Sequence, residues 1–391
     1  MRDGIWTGAL NDAFAIGGRV GLYDTTLRDG EQTVGVVLAP EDKLRIARAL
    51  DEVGVGRIEA GFPRVSREDA DAVGRVVQAG LRAEIWGFSR ALHEDVDALL
   101  ELGVRAAVIE SPVSDGKLAA YGLDRDEVLR RIRGAVSYAS EHGVRVAFFG
   151  VDGTRADLAF LERAYKTARD AGAAEAVVVD TVGVATPEAV GDLIGRAREW
   201  LGADVPMHFH GHNDFGLATA AAVAAVRAGA DWIHGTVNGM GERAGNANLL
   251  EAALTLEALY GVDTGIRLAR ARELSKVVRE LSGSELEPWK PLVGENLFMR
   301  ESGAVASQFH DPPAIEPFAA ELVSAERRVV LGKKSGIDNV RLKAEELGLD
   351  LPEEAQRALL ARVKALGSEK RDLVSDDEFR RLAFELRIHQ D

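Results

Sequence analysis

Short apolar runs alternate with longer Ala- and Arg-rich amphipathic stretches along the first two thirds of this 391-residue chain. The runs predict strands near residues 20–24, 57–60, 83–88, 104–110, 144–150, 176–180, 205–210 and 232–237. Helical patterns lie between them, as at 40–53, 67–79, 125–142 and 155–171. Strand followed by helix, repeated in this way, predicts a (β/α)8 barrel over residues 18–280, with a doubly wound sheet as the main competitor.

The C-terminal part of the chain has a different pattern. After residue 280 the periodicity fades and prolines become frequent, which predicts a linker or extended arm over residues 281–318. Helical patterns resume at 339–347, 352–366 and 375–386. We therefore expect an α/β fold in which a TIM barrel is followed by a small α-rich C-terminal subdomain over residues 319–391.

Composition excludes several classes of function. The formal net charge of -15 disfavours nucleic acids and anionic membrane surfaces as partners. The chain has no cysteine, which excludes disulfides, thiolate metal sites and cysteine nucleophiles and is typical of a reducing cytoplasm. No stretch approaches transmembrane length, and no signal peptide is evident. We expect a cytoplasmic protein without nucleic-acid or membrane partners.

Three histidines alternate at positions 208, 210 and 212, in and after the seventh predicted strand. Residues two apart in a strand share a face, so the imidazoles of His208, His210 and His212 are expected to point the same way. Imidazole is a common ligand of divalent metals, and the pattern therefore indicates a metal site. The alternative is a set of half-buried histidines that are each satisfied by a hydrogen bond.

Polar side chains also gather where other predicted strands end, which in a barrel is the face that carries the functional loops. They are Asp24 to Gln32, Glu59, Asp180 with Thr181, and Asn238 to Asn246. A carboxylate, imidazoles and an amide from separate strands can converge there on one cation and leave positions open for substrate oxygens. Simpler explanations for single residues are an Arg28–Asp29 ion pair, a helix cap at Asn246, and a solvated face at Glu242 and Arg243.

Three ordered motifs resemble the DRE-TIM family of metal-dependent condensing lyases. They are Tyr23-Asp24-Thr25-Thr26-Leu27-Arg28-Asp29-Gly30-Glu31-Gln32, His210-Gly211-His212-Asn213-Asp214, and Gly239-Met240-Gly241-Glu242-Arg243-Ala244-Gly245-Asn246. Within this family the chain is most similar to homocitrate synthases, notably the type that serves nitrogenase cofactor synthesis, and next to 2-isopropylmalate synthases. The resemblance implies a TIM-barrel enzyme that joins acetyl-CoA to a 2-oxo acid and hydrolyses the thioester.

The resemblance also implies roles for individual residues. The implied ligands of a divalent metal, which is Mg, Mn, Co or Zn, are Asp29, His210, His212 and, directly or through water, Asn246. Arg28 is implied beside the oxo acid carbonyl, Thr181 at its carboxylate and Gln32 near the reacting carbons. The physical logic agrees, because the metal polarises the ketone, Arg28 stabilises the developing alkoxide and a base removes a proton from the acetyl methyl group.

The chain departs from its relatives at the positions expected to move protons. Homocitrate synthases have a glutamate where this chain has His208, and a post-barrel histidine where it has Val305. Some relatives have a tyrosine at the position of His310. An imidazole with a near-neutral pKa can act as a general base, so we hypothesise that His208 and His310 together replace the missing group. The alternative for His310 is an ordinary loop residue. The expected catalytic residues are Arg28, His208, His310 and Glu242.

A second departure concerns the substrate. The Glu-Asp pair that follows strand five in relatives is Val151-Asp152 here. Trp86 stands where we expect some homocitrate synthases to hold the distal carboxylate of 2-oxoglutarate with a histidine, and Arg90 remains as a nearby cation for the substrate. The expected product is a 2-hydroxy-2-carboxymethyl acid such as homocitrate. Alternatives are phosphonopyruvate, used by a related phosphonomethylmalate synthase, and the small oxo acids of isopropylmalate and citramalate synthases.

Other functions compete with the synthase. A retro-Claisen lyase resembling hydroxymethylglutaryl-CoA lyase is disfavoured, since those enzymes use a cysteine that this chain lacks. A metal-dependent aldolase without CoA would share Arg28, Asp29 and the two histidines. A non-catalytic metal-binding relative is suggested by Val305 in place of a histidine. If the post-barrel arm reaches a neighbour as in relatives, the protein is a homodimer with exchanged arms.

Overall fold

Eight parallel strands form a closed barrel in this computed structural model, which describes residues 4–388. The strands are β1 Gly21–Asp24, β2 Arg57–Glu59, β3 Glu84–Arg90, β4 Ala106–Pro112, β5 Arg145–Val151, β6 Glu175–Asp180, β7 Met207–Gly211 and β8 Trp232–Gly235. Each strand pairs with the next, and β8 pairs with β1. The predicted TIM barrel is confirmed, and closure excludes the doubly wound sheet.

Helices follow the strands in the order expected for a barrel. They are α1 Pro40–Val53, α2 Arg67–Gln78, α3 His93–Glu101, α4 Asp115–Tyr121, α5 Arg125–Glu141, α6 Leu158–Asp170, α7 Pro187–Leu201, α8 Ala218–Arg227, α9 Leu249–Tyr260 and α10 Ala271–Ser282. Individual residues determine where these helices begin and end. The Ser66 side chain caps α2 by accepting from the amide of Asp69, and Gly54 ends α1 with a left-handed φ of 101°.

Alternate strand residues fill the interior of the barrel. This interior core contains Tyr23, Trp86, Phe88, Ala106, Val108, Ala147, Phe149, Val177 and Val179. Because successive side chains point to opposite faces, the next inward positions at the carboxyl ends of β3, β4 and β5 are Arg90, Glu110 and Val151. The strands therefore carry apolar residues in their middle and polar groups at the mouth, where a site can form.

The chain divides into two compact units, one of residues 9–286 and one of residues 4–8 with 287–388. The second contains a parallel pair of β9 Met299–Arg300 and β10 Arg328–Val329 and the helices α11 Gly303–Ala306, α12 Pro312–Ile315, α13 Ile337–Glu346, α14 Glu353–Lys370 and α15 Asp376–Ile388. Its core includes Val340, Leu359, Val363 and Phe379.

We expected residues 281–318 to be a linker or arm; of these, residues 287–318 belong to this second unit and contain β9, α11 and α12, and residues 281–286 belong to the first. Residues 389–391, which we placed at the end of the C-terminal subdomain, lie outside the described residues. Within residues 4–388, none of the helices combines the length and apolar character that crossing a membrane requires.

Candidate active site

Asp29, His210 and His212 meet at the mouth of the barrel. Asp29 follows β1, His210 is in β7 and His212 comes directly after it. The Nε2 atoms of His210 and His212 lie 3.2 and 3.6 Å from Asp29 Oδ2 and 3.4 Å from each other. All three side chains are buried, with at most 8% of their surface exposed. The structure thus brings together the predicted carboxylate and imidazole ligands, each offering one atom within 4.8 Å of the others.

The donor atoms left over at this site fit a divalent cation. Among the described residues, Asp29 Oδ2 and Asn246 Oδ1 are buried and have no hydrogen-bond partner. Asn246 Nδ2 donates to the carbonyl of Met240, so the amide oxygen is the end that remains for a ligand. Imidazole nitrogens with carboxylate and amide oxygens suit Mg, Mn, Co or Zn. Asp29, His210 and His212 would hold such a cation, with Asn246 beside them.

The charges around the site favour an ionised carboxylate and neutral imidazoles. Burial alone would raise the pKa of Asp29, but Arg28 and His210 hold it well below its usual range. Burial, together with His210, lowers the pKa of His212 to about 4. Deprotonated carboxylate and neutral imidazole are the forms that bind metals.

Arg28 is held in place with one donor free. Its Nε lies 2.8 Å from Glu59 Oε2, its Nη1 lies 3.5 Å from Asp29 Oδ1, and its guanidinium stacks 4.3 Å above the ring of Phe88. The Nη2 atom is buried and has no partner among the described residues. Glu59 and Asp29 raise the pKa of Arg28 although burial opposes them, so the group stays charged. A free, fixed cationic donor beside the metal ligands suits an oxo acid oxygen.

Gln32 and Thr181 occupy different parts of the mouth. Gln32 is exposed and lines, with Arg28 and Phe62, a cavity of about 330 Å³. The Thr181 hydroxyl accepts from the amide of Asp152 at 2.8 Å, which leaves its own proton available to a ligand. Asp152 is buried with a φ of 67°, and the Ser114 hydroxyl and the Arg155 guanidinium both donate to its carboxylate.

Trp86 and Phe88 lie at different depths on the inward face of β3. Trp86 is fully buried in the barrel interior, where it packs against Tyr23 and stacks with Arg57. Phe88, two residues nearer the mouth, is the β3 side chain that contacts Arg28. Trp86 therefore lies one inward position deeper in the barrel than Phe88, because side chains of one strand that share a face are two residues apart. Arg90 is at the mouth and is paired with Asp95 through two hydrogen bonds of 2.7 and 2.9 Å.

His208 lies apart from the metal ligands, in a buried charged cluster with Arg57 and Glu175. Its Nε2 is 2.5 Å from Glu175 Oε2, and its Nδ1 is 3.0 Å from His234 Nε2. Arg57 also forms two hydrogen bonds with Glu175, of 2.6 and 3.0 Å. Burial lowers the pKa of His208 despite the nearby carboxylate of Glu175. We expected all three alternating histidines to share one metal site. Only His210 and His212 lie together with Asp29, and His208 does not.

The other predicted catalytic residues are outside the metal group. The Glu242 side chain is 58% exposed and lies 3.4 Å from Arg243. His310 is exposed and belongs to the second compact unit. Sequence reasoning placed Glu59 at the end of a strand without giving it a role, and it did not name Phe88. The strand pattern in the sequence could have identified both residues, because Glu59 ends β2 and Phe88 is at an inward position of β3.

Two family models match this chain, one for each part of it. Residues 19–278 match the HMGL-like family, and residues 292–371 match the homocitrate synthase post-HMGL domain-like family. A putative (R)-citramalate synthase of Methanopyrus kandleri is 46% identical over 92% of this chain and 71% of its own length. A homocitrate synthase of the same organism is 46% identical over 91% of this chain and 90% of its length.

A 2-isopropylmalate synthase of Methanocaldococcus jannaschii is 40% identical over 92% of this chain and 70% of its length. The crystal structure of an HMG-CoA lyase of Bacillus subtilis superposes with a TM-score of 0.60 at 22% identity, covering 70% of this chain and 97% of the lyase, and shows the fold alone. The matches confirm the predicted family and the predicted synthase class. The chain therefore belongs to the HMGL-like family and carries, after its barrel, a homocitrate synthase post-HMGL domain.

Proposed function

We propose that this chain is a divalent-metal-dependent acyltransferase that condenses acetyl-CoA with a 2-oxo acid and hydrolyses the thioester. The observation that carries the proposal is the buried group of Asp29, His210 and His212 with the free Nη2 of Arg28 beside it. When bound there, a divalent cation supplies Lewis-acid polarisation of the ketone. The family membership and the synthases at 40 to 46% identity support the same chemistry.

The chain's own residues provide the remaining steps. Arg28 Nη2 donates to the ketone oxygen and stabilises the negative charge that develops there when the carbon–carbon bond forms. The Thr181 hydroxyl donates to the substrate carboxylate, since its oxygen already accepts from Asp152. The ring of Phe88 keeps the Arg28 guanidinium in place and excludes water from one side of it.

Within this class, 2-oxoglutarate is the first candidate for the oxo acid, and homocitrate the product. A homocitrate synthase matches over 90% of its length, and the second domain matches the homocitrate synthase post-HMGL family. Smaller oxo acids such as pyruvate are the second candidate, because Phe88 and Val151 give the mouth apolar walls on β3 and β5. Phosphonopyruvate, and with it phosphonate biosynthesis, belongs to the substrates to be tested.

We also propose that the enzyme is a cytoplasmic homodimer, in which the post-barrel segment serves the site of a neighbouring subunit. The support is the resemblance to synthases with such an arm and the absence of cysteine. Size-exclusion chromatography with light scattering tests the dimer. A monomeric mass at assay concentrations contradicts this part of the proposal.

The test of the function is release of free thiol from acetyl-CoA with a panel of oxo acids. The panel contains 2-oxoglutarate, phosphonopyruvate, pyruvate, oxaloacetate and 2-oxoisovalerate, each with Mg²⁺ or Mn²⁺. We expect turnover with one acid and none after treatment with a chelator. Thiol release without an oxo acid indicates a thioesterase. Silence with every acid, alongside tight Mn²⁺ binding, would favour a non-catalytic metal-binding protein, and cleavage of a hydroxyacyl-CoA or hydroxy acid would indicate a lyase or aldolase.

A further inference from the structure

Glu110 extends the inward face of β4 towards the mouth of the barrel. It follows Ala106 and Val108, which belong to the interior core, at the same two-residue spacing. Its partners across the sheet are Arg90 on β3 and Phe149 on β5. The ring of Phe149 lies 5.1 Å from that of the metal ligand His210. Glu110 is thus one ladder position from a side chain that contacts the metal group.

The carboxylate of Glu110 makes no hydrogen bond and no ion pair among residues 4–388. Glu110 lines a cavity of about 430 Å³ together with Arg90, Tyr121 and Arg131. Its cationic neighbours have carboxylate partners of their own, since Arg28 pairs with Glu59 and Arg90 with Asp95. Glu110 is half-buried, and a carboxylate withdrawn from water without a partner costs free energy unless a ligand or a proton uses it.

The groups predicted from sequence to move protons are less available. Both ring nitrogens of His208 are occupied, one by Glu175 and one by His234. Glu242 is exposed and paired with Arg243, and His310 is exposed in the second unit. Within the described part of the chain, Glu110 is a carboxylate on the inward face at the carboxyl end of a strand whose oxygens are free to accept a proton.

The electrostatic surroundings suit this role. Burial raises the pKa of Glu110 to about 7, against the opposing effects of Arg28, Arg90 and Lys117 and with a smaller contribution from Asp95. Of the other groups that line the cavity, Tyr121 is a phenol and Arg131 is paired with Glu127. A general base works best when its pKa is near the working pH.

We propose that Glu110 is the catalytic base of the condensation, an inference that rests on the proposed function. Its carboxylate takes a proton from the methyl carbon of the acetyl thioester, and the electron pair of the broken C–H bond forms the enolate. The enolate carbon then bonds to C2 of the oxo acid, and the ketone electron pair moves to oxygen beside Arg28. Glu110 returns the proton to that oxygen, and water hydrolyses the thioester to release the thiol.

The test compares Glu110→Gln and Glu110→Asp with wild type in steady-state thiol release from pH 5.5 to 9. Glu94→Gln is the matched control, because Glu94 is an exposed glutamate on α3 that pairs with the surface residue Arg64. We expect Glu110→Gln to lower kcat at least about 100-fold, while KM for the oxo acid stays within about threefold. Wild type should lose kcat below pH 7, whereas the residual activity of the Gln variant should lack this acid limb.

Retention of wild-type kcat by Glu110→Gln overturns the inference, as does a raised KM with unchanged kcat. Mn²⁺ binding followed by calorimetry shows whether the Gln variant has folded around its metal site. If it has not, Glu110→Asp decides: a shifted acid limb supports the inference, and an unchanged pH profile contradicts it. If the wild type releases no thiol with any oxo acid, the proposed function itself is overturned. This result is distinguishable from failure of the inference, in which the wild type is active and Glu110→Gln is equally active.

Discussion

Asp29, which follows β1, and His210 and His212, at the end of β7, form the proposed cation site of this barrel. The alternation of His208, His210 and His212 predicts a common face, and the structure shows that position along the strand separates their environments. His210 and His212 reach Asp29 at the mouth, while His208 lies among Arg57 and Glu175. Sequence spacing therefore predicts direction, but the depth of each residue in the barrel decides what it contacts.

Loss of a single proposed metal ligand should weaken metal binding strongly. We expect Asp29→Asn and His210→Ala each to weaken Mn²⁺ binding at least about 100-fold, because loss of mere supporting residues already costs 10- to 100-fold. Isothermal titration calorimetry measures the affinity. His142→Ala is the control, since His142 is an exposed histidine at the C-terminal end of α5 and is not among the proposed ligands. Unchanged affinity in both ligand variants is incompatible with the proposed site.

His310 provides a second prediction for a single residue. Its side chain is exposed, and Glu110 offers an alternative base. We expect His310→Ala to keep thiol release within about threefold of wild type, which would remove His310 from the mechanism, since loss of a general base costs at least about 100-fold. A loss of that larger size would restore the role that the sequence predicts for His310, and His142→Ala again serves as the control.

The loop between β8 and α9 is the element that places Asn246 at the site. Gly245 has a φ of 82°, and a Cβ there would collide with the carbonyl oxygen of Gly239. The tight turn brings His212 and Asn246 together as bridge partners between two loops. Glycines in this motif therefore serve the close approach of two backbones, which only a residue without Cβ allows.

We expect Gly245→Ala to displace Asn246, weaken Mn²⁺ binding and lower the free energy of unfolding by more than the cost of its left-handed conformation. Gly261→Ala is a matched control, because Gly261 is also left-handed, at 67°, but a Cβ there has nothing within 4 Å. The control should lose only about 1 kcal/mol and keep its metal affinity. Calorimetry and urea unfolding measure both quantities, and equal losses in the two variants would contradict the explanation.

For the whole molecule, the buried cluster of Arg57, Glu175 and His208 links stability to pH. Although burial alone would raise its pKa, hydrogen bonds from His208 and Arg57 lower the pKa of Glu175 to about 2. A carboxyl whose pKa falls on folding stabilises the protein above its unfolded pKa of about 4.5, and this contribution is lost as the pH falls towards 2.

The free energy of unfolding of wild type should therefore exceed that of Glu175→Gln at pH 6, and this difference should shrink by about 3 kcal/mol as the pH approaches 2. Urea unfolding at a series of pH values measures it. The exposed Glu94→Gln variant serves as the control and should show a small, constant difference. A pH-independent difference for Glu175→Gln would mean that the cluster does not hold Glu175 ionised.

The fold was predictable because its signals are local. Each strand of the barrel is a short apolar run, and each helix has its own periodicity and cap, as at Ser66 for α2. The predicted strands all appear, with ends that differ by a few residues, such as β4 at 106–112 instead of 104–110. The segment 287–318 was harder to interpret, since proline-rich sequence does not reveal which compact unit it packs in.

The sequence by itself determined the barrel, the family and the set of proposed metal ligands, because these depend on residue type, periodicity and order along the chain. Only the tertiary structure decided how deep each side chain lies in the barrel and which groups it contacts. It buried Trp86 below the mouth, put Phe88 against Arg28, occupied both nitrogens of His208 and, within residues 4–388, left the Glu110 carboxylate without a partner. The physical reason is that burial and charge pairing arise between strands that are far apart in sequence, and these set which groups can react.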